Sequence, residues 1–164
     1  MTTMMQITEL EVWKASVELA KRSFQIAAHF GEEGNSGLAV LLRRTVANIP
    51  ANISIAASRK HGRESLKHLF RARDLIYEVE SHVYLANRLG YISDEVLNEM
   101  IELLNTSKKL LFGFIKYYKR ANYNDSKYRK SGRSKGAKKE EDLIIDEEDD
   151  EEIEEFDEDD EEEM

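Results

Sequence analysis

Leu42-Arg43-Arg44-Thr45-Val46-Ala47-Asn48-Ile49-Pro50-Ala51-Asn52-Ile53 decides how this chain is read. Pro50 is the only proline in 164 residues, and it stands inside a helical pattern. Apolar residues recur at Leu38, Leu42, Val46, Ile49, Ile53 and Ala56, the three-and-four spacing of one helical face on both sides of it. An interior proline removes a backbone hydrogen bond and crowds the preceding turn, at a cost of roughly 3 kcal/mol. A chain that keeps it is expected to use the kink and to hold both arms of the helix by packing.

Toward the N-terminus, Thr8 and Glu11 have capping-box spacing, and Ile7 with Val12 offers the accompanying hydrophobic staple. A first helix follows. Leu10, Trp13, Val17, Ala20, Phe24 and Ala27 are spaced as a bundle seam, and Val12, Leu19 and Ile26 form a second line beside it. One surface helix needs a single apolar stripe, so the double one predicts contact with two neighbours or with another subunit. Gly31 to Gly37 reads as the first loop.

Toward the C-terminus, the second helix is expected to end near Arg59, with a short turn to Arg63. A third helix then runs to about Leu89, closed by Gly90 in the left-handed conformation. Its apolar stripe is interrupted by Arg73, Asp74 and Glu80. Ser93 caps a fourth helix, with Asp94 and Glu95 at the positive end of its dipole. Leu97, Met100, Leu104, Leu111, Phe114 and Tyr118 form one seam of that helix, and Val96, Leu103, Leu110 and Tyr117 a second. Four long helices with short loops predict an all-α, up-down-up-down four-helix bundle over residues 7–121, with a kinked second helix.

The net charge of −9 divides very unevenly. Residues 1–121 carry +4, residues 122–139 carry +6, and residues 140–164 carry −19. The second segment is expected to be a disordered basic linker and the third a disordered acidic tail, since like-charge runs bury too little surface to offset ordering entropy. Nucleic acid therefore stays open as a partner of the folded part despite the acidic total. The tail, with Leu143, Ile144, Ile145, Ile153 and Phe156 scattered through it, admits three roles. It competes with nucleic acid, solubilises the chain, or docks into a partner protein.

Leu-Arg-Arg followed by Ile49-Pro50-Ala51-Asn52-Ile53 resembles the signature of a bacterial four-helix-bundle family encoded in intervening sequences of large-subunit rRNA genes. That family is similar in turn to the accessory variability proteins of diversity-generating retroelements. Leu10-Glu-Val-Trp-Lys-Ala15 resembles its opening helix and Leu89-Gly-Tyr-Ile-Ser93 the turn before its last one, so the resemblance spans about residues 9–120. The chain departs from the pattern after Ile53, where Ser54, Ile55 and Ala56 replace a small residue, a glutamate and a glycine. The resemblance implies a ring-like homo-oligomer, typically a pentamer, and a non-enzymatic role beside a reverse transcriptase and its RNA. The family's other branch, an rRNA-insert protein, implies no defined role.

Chemistry of the catalytic kind finds little purchase. Without cysteine there is no disulfide, thiolate metal site or cysteine nucleophile. No phosphate-binding glycine loop, nucleophile elbow or His-Glu-x-x-His occurs, so no enzyme and no cofactor is expected. Glu64/His68 and Glu78/His82 each share a helical face at a spacing of four, which more often marks a surface contact than a metal site. The absence of an apolar run of membrane-spanning length and of a signal peptide gives the expectation of a cytoplasmic protein with no membrane contact.

The candidate binding residues are basic. Arg59, Lys60, Arg63, Lys67 and Arg71 gather around the second turn, and Arg43 and Arg44 add charge on the second helix. Such cations contact successive phosphates of RNA or DNA in a salt-sensitive, sequence-tolerant way. Two alternatives remain: a solvated face on a protein–protein scaffold, and, for Arg43 and Arg44, burial between subunits.

Overall fold

The computed structural model describes residues 6–31, 37–59 and 62–131, with side chains as far as Asn122. Among the described residues, a 3-10 turn, Ile7–Glu9, precedes four helices: α1 (Glu11–Ala27), α2 (Leu38–Ser58), α3 (Arg63–Arg88) and α4 (Asp94–Ser131). Among the described residues there is no strand. Lys60 and the expected acidic tail lie outside the described residues, as does the second half of the expected linker.

Cross-helix contacts set the topology. α1 packs on α2, and α2 on α3. Asn52 meets His68. Glu80 meets Lys108, while Phe70, lower on α3, meets Lys119, further along α4. Arg22 meets Glu99, while Ala15 meets Ser107. In both pairs of contacts one helix descends as the other climbs, so α4 runs antiparallel to α3 and to α1, giving the up-down-up-down bundle. Leu19, Leu42, Ile49, Ile53, Leu69, Leu75, Ile76, Met100, Leu104, Leu111 and Ile115 are fully buried along its axis.

Pro50 sits within α2, and the helix continues unbroken to Ser58. The missing N–H leaves one turn without its bond. Two asparagines flank that turn: Asn48 Nδ2 donates to the Arg44 carbonyl and Asn52 Nδ2 to the Asn48 carbonyl, both at 2.8 Å. Asn52 Oδ1 only accepts, so His68 Nδ1 donates to it at 3.0 Å and ties the proline turn to α3.

Three expectations need revision. On α1 the buried line is Val12, Leu19 and Ile26, with Ser16, Ser23 and Ala27 beside it. The stripe read as the main seam is the outer one, with Trp13, Val17 and Ala20 half-buried and Phe24 45% exposed. The line read as the second one is the core line, completed by serines whose hydroxyls are satisfied inside the helix by the carbonyls of Trp13 and Leu19. The capping box at Thr8 does not form: α1 begins at Glu11, and Leu10 before it is buried with no side-chain cap bond. Finally, α4 runs to Ser131, ten residues past the expected end of the bundle, although the compact unit itself ends at Asn122. Residues 123–131 contain neither glycine nor proline, and extending an existing helix fixes one residue per bond gained. Gly132 is the next glycine in the sequence after Gly113.

The other helix ends match the sequence reading. Gly90 has φ +75° and follows the last turn of α3, where Tyr91 N–H bonds the Ala86 carbonyl at 2.8 Å. Ser93 Oγ accepts from Val96 N–H at 3.3 Å and caps α4.

Candidate nucleic-acid interface

Of the residues that interrupt the apolar stripe of α3, Glu80 makes a contact with α4. Glu80 Oε2 accepts from Lys108 Nζ at 2.7 Å, and that ammonium also lies 4.7 Å from the centre of the Tyr77 ring. Lys108 is buried, an uncommon state for lysine that a paired carboxylate and an aromatic face compensate. Two turns earlier on α3, Phe70 collects cations from both helices. Arg73 Cζ stands 5.1 Å from its ring centre and Lys119 Nζ 5.7 Å. Arg73 also bonds Asp74 at 3.2 Å.

Charge on α4 is sharply divided. Its first turns hold Asp94, Glu95, Glu99 and Glu102, whereas from Leu103 to Asn122 there is no carboxylate and five cations: Lys108, Lys109, Lys116, Lys119 and Arg120. Because α3 runs the opposite way, this basic half of α4 lies beside the first half of α3, which brings Arg63, Lys67, Arg71 and Arg73 to the same end of the bundle.

The stripe read from sequence is divided by this geometry. Lys67 pairs with Glu64 at 2.8 Å, and Arg59 approaches the same carboxylate at 3.8 Å. Those cations hold the Glu64 carboxyl below its ordinary value, Lys67 most strongly. Arg71 reaches Glu78 at 3.2 Å. These pairs are exposed, the kind of ion pair whose net contribution is small and which salt screens. Arg63 is exposed on the first turn of α3. Arg43 and Arg44 do not join this group. They lie on α2, with Arg44 fifteen residues before Arg59, about 22 Å along a helix axis. Arg43 is half-buried and Arg44 exposed.

Phe70, Tyr77, Lys108, Lys116 and Lys119 were missed because no single helix contains the pattern. The available signal was the carboxylate-free run from Leu103 to Asn122, legible in the sequence.

The two Glu/His pairs are separately engaged. His68 bonds Asn52, and Glu64 bonds Lys67. His82 Nδ1 is buried with no partner, and burial holds the imidazole below its ordinary value against the opposing pull of Glu78. No helix among the described residues is long and apolar enough to cross a membrane.

The family model described as 23S rRNA-intervening sequence protein matches residues 8–113, most of the helical bundle. A search of curated proteins finds no match to the chain.

Proposed function

Because the chain belongs to the 23S rRNA-intervening sequence protein family, we propose that it is a self-assembling, non-catalytic bundle that binds nucleic acid or a ribonucleoprotein partner. The observation that carries this reading is the segregation of charge: α3 and α4 bring their basic halves to one end, and α4 has no carboxylate between Leu103 and Asn122. A surface of that kind attracts a polyanion by releasing its counterions. The most concrete form of the role, drawn from the likeness to retroelement accessory proteins, is to hold RNA beside a reverse transcriptase.

Self-assembly is supported by the outer stripe of α1, where Trp13, Val17 and Ala20 are half-buried and Phe24 is exposed. Apolar side chains left partly open along one helix face are the kind of surface that interaction sites use. Assembly multiplies weak phosphate contacts into avidity. A protein–protein scaffold is the second reading, and Tyr84, Leu85 and Leu89, all exposed near the end of α3, favour it.

Recovery of RNA with the full chain at low salt tests the reading. Enrichment of RNA that is lost on raising the salt supports it. Recovery of protein partners alone, unchanged by nuclease, supports the scaffold instead.

A further inference from the structure

Resting on the nucleic-acid reading above, we propose that the groove between α3 and α4 takes single-stranded rather than duplex nucleic acid, with Phe70 and Tyr77 as the rings on which bases stack and Arg73, Lys116 and Lys119 as its phosphate contacts. The two rings stand seven residues apart on α3, about 10 Å along its axis. Neither is a tip: Phe70 is half-buried and Tyr77 is 37% exposed. Each carries a cation from the neighbouring helix, Lys119 on Phe70 and Lys108 on Tyr77. Three carboxylates on this stretch of α3 are engaged, Asp74 by Arg73, Glu78 by Arg71 and Glu80 by Lys108, and α4 has none from Leu103 to Asn122, so the balance of charge is positive. Lys116 is half-buried one turn before Lys119 and extends the basic row along α4.

Partly open aromatic rings flanked by cations match a strand whose bases are free to turn inward while its phosphates track the neighbouring cations. A duplex keeps its base faces stacked inside and presents only its backbone and groove edges. Duplex binding would use the exposed cations of the first turns of α3 and would not sense the rings.

The test is a fluorescence titration of the full chain with a short oligouridylate, the matching duplex and polyglutamate. The wild type is expected to prefer the single strand. Tyr77→Ala is expected to weaken it about tenfold, near the low end for one base–aromatic stack, with Tyr77→Phe restoring the affinity. Arg73→Gln with Lys119→Gln is expected to flatten the salt dependence by about 0.7 in log–log slope per lost phosphate contact. Circular dichroism checks that each variant folds, and the exposed row is tested independently by Arg63→Glu/Lys67→Glu/Arg71→Glu. If the wild type binds no nucleic acid at low salt, this inference and the reading beneath it both fail. If Tyr77→Ala and Arg73→Gln/Lys119→Gln bind normally while Arg63→Glu/Lys67→Glu/Arg71→Glu does not, the groove is wrong and the general reading stands. Polyglutamate binding as tightly as RNA, with no effect of Tyr77→Ala, would identify an acidic polypeptide as the partner and overturn the inference.

Discussion

Replacing Glu80 by alanine strands a buried ammonium. Lys108 keeps 8% of its side chain exposed and Glu80 22%, with 2.7 Å between Nζ and Oε2. At an effective dielectric near 20, the pair's gross attraction is about 6 kcal/mol, most of which offsets the desolvation of the two ions. Intact, the pair therefore contributes little net stability; broken, it leaves an uncompensated charge. Loss of one partner of a buried pair costs about 3–5 kcal/mol. The partial exposure of Glu80 lets some water reach the ammonium, which places Glu80→Ala at about 3 kcal/mol. Lys108→Met is expected to cost less, about 1–2 kcal/mol, because the carboxylate left behind is the more accessible partner. Glu80→Leu combined with Lys108→Met is expected to lie within about 1 kcal/mol of wild type, since apolar replacement of both partners restores packing without the desolvation cost. Urea unfolding followed by circular dichroism, at one fixed protein concentration, reads all three. A Glu80→Ala variant within about 0.5 kcal/mol of wild type would refute the reasoning, because it would mean that Lys108 reaches solvent without its partner.

Four further outcomes are expected. Pro50→Ala restores the missing bond of α2 and is expected to alter assembled mass more than helix content; unchanged mass and melting would mean that the proline has no role in shaping the interface. Light scattering at micromolar concentration is expected to give a mass several times the 19.0 kDa of one chain, and a monomer would contradict self-assembly. His82 has a lower affinity for protons when folded than when unfolded, so stability is expected to fall as pH drops below its unfolded value of about 6.5 and to level off below its folded value. Substituting His82→Gln is expected to flatten that part of the profile, and an unchanged profile would assign the slope to another group. Deleting residues 140–164 removes a charge of −19 and is expected to raise nucleic-acid affinity several-fold at low salt, with the gain fading as salt increases. Equal affinity at every salt concentration would rule out competition by the tail.

The bundle was legible because helices with three-and-four apolar spacing and glycine or serine at their ends specify their own boundaries. Ser93 and Gly90 act as their residue types predict. On α1 both apolar lines were legible but not which of them faces the core, because Ser16 and Ser23 look polar in sequence yet bond their own helix and enter the core. The interface was less legible. Lys67 and Arg71 stand one turn apart and read as one stripe, yet carboxylates at Glu64 and Glu78 engage them through the fold of one helix. The Phe70 cluster joins residues forty-nine positions apart in the chain, and only the antiparallel register of α3 and α4 brings Lys119 onto that ring. Local spacing carries no information about such a pairing until the register is known.

The central claim is that the basic end of the bundle binds a nucleic-acid backbone, and the salt dependence of affinity tests it most directly. Titrating the full chain with single-stranded RNA across a series of salt concentrations is expected to give a straight line of log affinity against log salt. Engagement of three or more phosphates by this surface predicts a slope of about −2 or steeper. No binding at low salt, or an affinity that does not change with salt, would contradict the account.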